Sequence, residues 1–397
     1  MRARWVVVWL ALASVAMARM AGHQMEEVPV DRLLKNCAAW VETHPDDAHA
    51  IYVLGRLHAI AFVQGETSPL AVPKGEGEAA GPPDVWGTSF RDLEAAAVAA
   101  FEEARRKHLT DAIECHRKAT KLGGDVAEHW LGLGWLLDEG AKYAEAVGGK
   151  PSEWKEEALG AYRKAYEMSV EGDLALKSIG PMERTMSVEA AQGIARLLKE
   201  LRGEKLSDAE NEEIAKVEKT SKEIEGKDHW ITPVILPLTD EATSLSDLVA
   251  PGRVVDFDLD GLGLGERWPW VGPDAGIFVW DPKGRGEITS GRQLFGSVTW
   301  WVFWKDGYEP LMLLDDDGDG WLAGSELTGI SVWRDANGNG VSEPGEVVPV
   351  VDAGIIRIAA CAGGVSDGVP SNPAGAVLRD GRVRPTWDWT PRTARRP

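Results

Sequence analysis

The residue composition of this chain changes near Ile231, and that change sets what each half can fold into. Between about Glu26 and Leu201 the chain is rich in Ala, Leu, Glu and Lys at helical spacing, which predicts helices. From Ile231 onward Val, Ile, Trp, Gly and Asp predominate, which predicts strands joined by turns. The length of 397 residues is enough for two domains. We therefore predict a multidomain protein with an all-α N-terminal half and an α+β C-terminal domain.

Small residues recur at one spacing in the helical half, each time around a large residue. The positions are Ala112, His116 and Ala119, then Ala158, Tyr162 and Ala165, preceded by Leu54-Gly55 and Leu133-Gly134. This pattern resembles about two and a half tetratricopeptide (TPR) repeats, which are helical hairpins. The resemblance implies a solenoid that binds a protein or peptide partner on its concave face. A plain helical bundle is the alternative.

Composition also predicts the boundaries between segments. Residues 203–228 are highly charged and carry a thin apolar stripe, which predicts a helical linker capped by Ser207. Residues 65–87 are rich in Gly, Pro and Glu, which predicts an exposed loop. The predicted organisation is a signal peptide at 1–18, a TPR-like helical domain at 26–202, the linker at 203–228, the C-terminal domain at 229–361 and a disordered, Gly-, Pro- and Arg-rich tail at 362–397.

Charge and the first residues indicate the compartment and exclude one class of partner. The formal net charge is −20, and a field of that sign repels nucleic acid, so no nucleic-acid partner is expected. Arg2 and Arg4 precede the apolar run Trp5–Val15, and Ala16-Met17-Ala18 matches a cleavage site. We predict a protein that is exported to the periplasm, the cell surface or the medium, with no membrane span after cleavage. An uncleaved short membrane anchor is the alternative.

The most specific pattern in the C-terminal half is a twelve-residue run that starts at Asp315. It has oxygen-bearing side chains at positions one, three and five, Gly at six, an apolar residue at eight and Glu at twelve. Calcium takes six to eight oxygen ligands at about 2.3–2.6 Å, and an EF-hand-type loop supplies them in this order. The predicted ligands of a first calcium ion are Asp315, Asp317, Asp319, the backbone carbonyl of Trp321, and Glu326.

A second run repeats the pattern from Asp335, twenty positions later. Its position eight is Ser342, where an apolar residue is usual. The predicted ligands of a second calcium ion are Asp335, Asn337, Asn339, the backbone carbonyl of Val341, Glu343 and Glu346. The alternative for both runs is a pair of solvated turns, because Asp, Asn and Gly favour turns without any metal.

Two upstream segments look like degraded copies of these loops. The run at Asp281 carries basic residues at three ligand positions, so we predict no calcium there. The run at Asp256 has Asp at alternate positions but Arg267 in place of the closing Glu. We predict a turn after a strand at 253–257, with a partial site as the alternative.

The segments around the loops carry further predictions. Ile330–Trp333 is predicted as a strand, residues 346–353 as a short helix and residues 355–359 as a closing strand. Eight tryptophans lie between Trp268 and Trp333, and most are predicted to be core residues rather than a ligand platform.

Taken in order, residues 231–361 resemble a family of Asp/Gly-rich calcium-loop domains found in exported bacterial proteins. The shared landmarks, besides the Asp315 loop, are Phe257-Asp-Leu-Asp-Gly, Trp270-Val-Gly-Pro-Asp-Ala-Gly, Ile288-Thr-Ser-Gly-Arg-Gln-Leu-Phe-Gly and Val332-Trp-Arg-Asp-Ala-Asn-Gly-Asn-Gly. Only eight residues separate Glu326 from Asp335, so the loops are closer to dockerin-type loops than to a full EF-hand pair. The resemblance implies calcium binding and an extracytoplasmic setting.

The function predicted from sequence is non-enzymatic calcium binding, with a structural ion and a helical region for protein–protein interaction. The chain contains no HExxH, GxSxG or GxxxxGK[ST] pattern. One alternative is an interaction scaffold in which calcium is incidental. Another is a hydrolase of a type whose residues the sequence does not reveal.

Overall fold

The computed structural model describes residues 28–64, 103–261, 263 and 266–393. The predicted signal peptide and the predicted loop at 65–87 lie outside these residues. The described N-terminal half is helical, as predicted. Its helices are α1 (Val30–Thr43), α2 (Ala48–Gln64), α3 (Glu103–Leu122), α4 (Ala127–Gly140), α5 (Pro151–Ala175), α6 (Pro181–Arg202) and α7 (Asp208–Glu225).

Each of these helices packs mainly on its neighbours along the chain, and small residues bring their axes together. A Cβ atom at Gly55 of α2 would lie 2.3 Å from the His116 ring of α3, so only glycine fits there. Gly134 of α4 meets the ring of Tyr162 of α5 in the same way, at 3.0 Å. The pairing of small and large residues predicted from sequence is therefore confirmed. Within the described ranges no helix is both long and apolar enough for a membrane span.

The predicted linker helix forms, but it belongs to the helical half. Ser207 caps α7, because its side chain accepts the Glu210 amide while the Glu210 carboxylate accepts the Ser207 amide. Ile214, Val217 and Ile224 of α7 are buried, and α7 packs along α6. A thin apolar stripe is thus enough to pack α7 against α6, at the end of the row of helices.

The described C-terminal half is built on antiparallel strands. The strands are β1 (Ser178–Ile179), β2 (Asp228–His229), β3 (Val234–Pro237), β4 (Val249–Asp256), β5 (Arg267–Val271), β6 (Ala275–Trp280), β7 (Trp321–Ala323), β8 (Ile330–Trp333), β9 (Val347–Pro349), β10 (Ile355–Ala359), β11 (Gly364–Ser366), β12 (Val369–Leu378) and β13 (Val383–Asp388). A nine-stranded sheet has the order β7-β10-β12-β13-β3-β6-β8-β9, with β11 beside β12, and a separate hairpin pairs β4 with β5. Short β1 and β2 pair in parallel and join the end of the helical half to the sheet domain.

Helical structure in this half is limited to short pieces, so the predicted α+β domain is largely β. The strands predicted at Ile330–Trp333 and 355–359 are present, as is the strand before the Asp256 run. The short helix predicted at 346–353 is wrong, because Val347–Pro349 pairs with β8 as a strand. The short helices are α8 (Leu245–Leu248) and α9 (Tyr308–Met312).

The tail predicted to be disordered is also wrong over its described part. Strands β12 and β13 lie inside the large sheet, between β10 and β3. Trp387 and Trp389 are buried there, and Arg384 is held by the backbone carbonyl of Thr239 at 2.7 Å. Burial of these side chains stabilises an ordered segment that Gly, Pro and Arg composition alone does not predict.

The larger of two apolar clusters among the described residues runs from the helices into the sheet domain. Of the eight tryptophans between Trp268 and Trp333, seven are buried, and Trp321 is half-buried. Their prediction as core residues is confirmed for those seven. The ring of Trp270 packs on Phe257 and Trp333 with centroid separations of 5.4 and 5.5 Å, a normal range for aromatic pairs.

Polar groups from both halves meet at the edge of this shared core. Buried Arg56 of α2 donates to the carbonyl of Trp301 at 2.6 Å. His49 of α2 lies 3.3 Å from the Glu309 carboxylate of α9. Glu128 of α4 is buried close to this pair, and its burial raises its pKa to about 7, with the positive His49 opposing the rise and the negative Glu309 adding to it.

This buried carboxyl makes stability depend on pH. Because the folded pKa of Glu128 exceeds its unfolded value, the folded state binds more protons between about pH 4.5 and 7. The free energy of unfolding therefore falls as pH rises through that window, by up to about 1 kcal/mol per pH unit from this group. Glu128→Gln should flatten the fall in urea unfolding curves measured from pH 5 to 8. Exposed Glu171→Gln is the control, and parallel profiles for wild type and Glu128→Gln would contradict the assignment.

Candidate metal centre

The run at Asp315 begins with a tight turn after α9 and then includes the short strand β7. Leu314 and Leu322 are fully buried on either side of this turn and anchor it to the core. Gly318 and Gly320 have φ values of +73° and +84°, a backbone region that glycine enters without steric cost. The pattern of glycines in the sequence is therefore a requirement of this turn.

Side-chain oxygens at the predicted ligand positions organise the loop backbone. Asp315 accepts the amides of Gly318 and Gly320, each at 2.8 Å. Asp317 accepts the Asp319 amide at 3.1 Å, and Asp319 accepts the Trp321 amide at 2.7 Å. The carboxylates of Asp315 and Asp317 lie close together in the loop. The predicted ligand Asp319 is not part of that group, and its second oxygen lies 3.5 Å from the Arg357 guanidinium.

The closing residue Glu326 ties the two ends of the loop. One carboxylate oxygen accepts the amide of Asp316 at 2.7 Å, and the other accepts the amide of Ala323 at 2.9 Å. Glu326 is buried. Both of its oxygens are thus held at the mouth of the loop, which is the placement that a bidentate ligand needs.

The dimensions of the first loop fit a calcium ion. Asp315, Asp317 and Glu326 each offer one oxygen, and these three atoms lie within 4.8 Å of one another. Two oxygens bound to one calcium at about 2.4 Å can be at most about 4.8 Å apart. Burial raises the pKa of Asp315, and the nearby charges of Glu326 and Asp317 act in the same direction, against the amides of Gly320 and Gly318. A cation would relieve that repulsion.

The run at Asp335 repeats this hydrogen-bond pattern between β8 and β9. Asp335 accepts the amides of Gly338 at 2.7 Å and Gly340 at 2.8 Å. Glu346 accepts the amides of Ala336 at 3.0 Å and Glu343 at 3.1 Å. The two runs predicted as equivalent from sequence are therefore equivalent in backbone geometry.

The remaining predicted ligands of the second loop contact one another. Asn337 accepts the Asn339 amide at 3.0 Å, and Asn339 accepts the Val341 amide at 2.7 Å. The side-chain amides of Asn337 and Asn339 donate to opposite oxygens of the exposed Glu343 carboxylate, at 2.8 and 3.3 Å. Glu343 is thereby held over the loop at position nine.

Two contacts distinguish the second loop from the first. Asp335 is fully buried and also accepts the indole N–H of Trp270 at 2.6 Å. The Ser342 hydroxyl accepts the amide of Ile288 at 2.8 Å. Ile288 stands at position eight of the degraded Asp281 run. The Asp281 run and the Asp335 loop are therefore joined by a hydrogen bond between their eighth residues. The side chain of Ser342, unusual at this position, thus makes a contact with Ile288 that the sequence did not predict.

The degraded runs share the first turn of the two complete loops. Asp281 accepts the amide of Gly286 at 2.9 Å, and Asp258 accepts the amide of Gly263 at 2.6 Å. In each case an Asp at position one binds the amide of a Gly at position six. The loop that the sequence placed at Asp256 therefore begins two residues later, at Asp258, and that register was wrong.

The helical half touches the first loop directly. Arg32 of α1 donates to the Asp316 carboxylate at 2.8 Å and also to the Leu314 carbonyl. Asn36 of α1 donates to the Leu313 carbonyl at 3.0 Å and to Asp316 at 2.9 Å. Burial acts against ionisation, but the hydrogen bonds from Arg32 and Asn36 hold the pKa of Asp316 below its usual value. Loop geometry and docking of α1 are thus coupled.

Sequence reasoning missed another group of side chains that could hold a metal, formed by His229, Asp260 and Glu266. His229 lies far from the other two in sequence, and the incorrect start at Asp256 hid the position of Glu266. With the loop starting at Asp258, Asp260 and Glu266 occupy positions three and nine. That spacing is the signal that could have found two of the three residues.

Comparison with known proteins places the similarity in the sheet domain. A family model described as the SPM domain matches residues 234–373, a range that contains both complete loops. The iron-regulated protein FrpA of Neisseria meningitidis serogroup C is 32% identical over 136 residues. That alignment covers 33% of this chain and 12% of the relative, so the chain spans about one-eighth of that protein. The SPM match begins after the seven helices that the structure describes in the N-terminal half.

Proposed function

We propose that this protein binds two calcium ions, one in the Asp315 loop and one in the Asp335 loop. The observation that carries the proposal is the convergence of Asp315, Asp317 and Glu326 oxygens within 4.8 Å. The equivalent hydrogen bonds in the second loop support extending the proposal to it. The net charge of −20 favours cations near the surface.

The ions would be structural, and the protein would not be an enzyme. The first loop contains β7 and the second leads into β9, and these are the two outer strands in the order of the large sheet. Edge strands carry unpaired backbone groups and open readily. A cation that closes each loop therefore stabilises the sheet at its weakest places. Export, predicted from residues 1–18, would expose the loops to plentiful calcium.

Tryptophan fluorescence of the full chain tests the proposal. Titration with calcium should change the emission of Trp321 and Trp333 with saturation near 10⁻⁴–10⁻³ M, the range of extracellular modules, whereas magnesium should not. Trp321→Phe is a matched control, since it keeps the ligating backbone carbonyl and removes the reporter in the first loop. A flat response to calcium in the wild type would contradict the proposal.

The helical half is proposed to be a TPR-like solenoid that binds a protein or peptide. Equivalent contacts in successive helix pairs, Gly55 on His116 and Gly134 on Tyr162, support this reading. Pull-down with the full chain in calcium and in chelator separates the roles. A partner retained in both conditions would favour a scaffold with incidental calcium, whereas retention in calcium alone would make the ion a switch. A hydrolase remains the alternative that no arrangement described above favours.

A further inference from the structure

Three ligating side chains meet beside β2, outside both proposed calcium loops. His229, Asp260 and Glu266 each offer one ligand atom, and these atoms lie within 4.8 Å of one another. We propose that His229, Asp260 and Glu266 form a separate site for a divalent transition metal of the zinc type, independent of the two calcium ions.

The geometry of the group fits such an ion. His229 Nδ1 lies 3.1 Å from the Glu266 carboxylate. Ligands around a tetrahedral zinc, with bonds of about 2.0–2.2 Å, are about 3.3 Å apart. His229 and Asp260 are more than nine-tenths buried, whereas the Glu266 side chain is 24% exposed. A metal can therefore enter past Glu266 and bind between these side chains, with water completing its coordination.

Backbone contacts hold the histidine in place before any metal binds. The hydroxyl oxygen of Thr393 accepts the His229 amide at 2.8 Å. The Thr393 amide in turn donates to the His229 carbonyl at 2.7 Å. On its other side His229 pairs with Ile179 of β1. A ligand fixed on both sides loses little conformational freedom when it binds a metal.

The loop that carries Asp260 is anchored as well. The Gly261 carbonyl, next to Asp260, accepts two N–H groups of Arg292 at 3.0 and 2.7 Å. The Arg292 guanidinium lies flat against Trp301, 3.9 Å from the ring centroid. The Gly291 amide donates to the Asp258 carbonyl at 2.7 Å. The second ligand therefore also stands on a rigid support.

The donor set differs from that of a calcium loop. Position five of this loop is Leu262 and position twelve is Pro269, and neither offers a side-chain oxygen. Calcium needs six to eight oxygens, and two of the usual ones are missing. His229 adds an imidazole nitrogen, a donor that suits zinc, iron or nickel and not calcium. The same changes that remove calcium ligands thus favour a transition metal.

Charge also favours a cation at this group. The group combines two carboxylates with one imidazole, and two of its three members are buried. A divalent cation bound between the two carboxylates would offset their negative charges in a region partly shielded from water.

The test is a zinc titration of the full chain after chelator treatment, in buffer with millimolar calcium so that calcium sites are filled. We expect calorimetry to show one zinc ion bound with micromolar or tighter affinity, and cobalt to give the absorption bands of a tetrahedral site. His229→Gln should weaken zinc binding at least tenfold and abolish those bands. Glu266→Gln, at a partly exposed position, should weaken zinc binding without disturbing the fold.

Matched controls separate this site from surface ligands. His44→Gln removes an exposed histidine directly after α1, and Cys361→Ser removes an exposed thiol. Neither change should alter the zinc affinity. Circular dichroism and the calcium titration of His229→Gln report whether that variant folds. Absence of zinc binding, equal binding by wild type and both site variants, or displacement of zinc by calcium at the same concentration would overturn the proposal, whatever the calcium loops do.

Discussion

Glu326→Gln is expected to remove one of two calcium-binding events and leave the other. Glutamine has one oxygen where glutamate offers two, and it lacks the charge that attracts the ion. Its amide nitrogen would also face a backbone donor, because both oxygens of Glu326 accept amides, from Asp316 and Ala323. We expect the first site to weaken by well over tenfold, equivalent to more than about 1.4 kcal/mol, as measured by calorimetry.

The matched variant is Glu346→Gln, which changes the closing residue of the second loop. It should remove the other event, because Glu346 accepts the amides of Ala336 and Glu343 in the same arrangement. The two single variants should therefore leave complementary sites, and the double variant none. Two unchanged binding events in Glu326→Gln would show that the first loop does not hold calcium.

Asp335→Ala is expected to cause the largest loss of stability among loop substitutions, even without calcium. The Asp335 carboxylate is fully buried and accepts the amides of Gly338, Asn339 and Gly340. It also accepts the buried indole N–H of Trp270. Alanine would leave these donors without a partner, at about 1–3 kcal/mol for each one that water does not reach. We expect urea unfolding in chelator to report a loss of about 3 kcal/mol or more.

Asp315→Ala is the control, since it makes the same substitution at position one of the first loop. Asp315 is only half-buried and accepts two amides, which water can solvate once the carboxylate is gone. Its cost in chelator should be about 1 kcal/mol. Equal losses in the two variants would contradict the view that the second loop is part of the core and the first is not.

The sequence predicts local geometry well where spacing and residue type act together. Asp at position one and Gly at position six meet in a hydrogen bond in both complete loops. The short strand β8 between the loops follows from its apolar residues Ile330, Val332 and Trp333, which are buried together with the polar Ser331. These features depend on contacts between residues that are only a few positions apart, and such contacts can be predicted from the sequence pattern.

Predictions failed where distant segments decide the structure. The tail reads as irregular because Pro370, Pro373 and Gly375 interrupt the alternation of β12, and the pairing with β13 shifts register between Asn372 and Ala376. Pairing on both sides within the sheet nevertheless orders it. Asp at 256, 258 and 260 offers two possible starts for one loop, and only the contact between Asp258 and Gly263 selects between them. The approach of His229 to that loop is a tertiary contact with no local pattern.

Equilibrium dialysis of the full chain is the most direct test of calcium binding in the two loops. With millimolar free calcium, and magnesium in excess as competitor, the account predicts two calcium ions per chain, one for each complete loop. A chain that retains no calcium above the magnesium background would contradict it, and the Asp315 and Asp335 runs would then be turns held by their own hydrogen bonds alone.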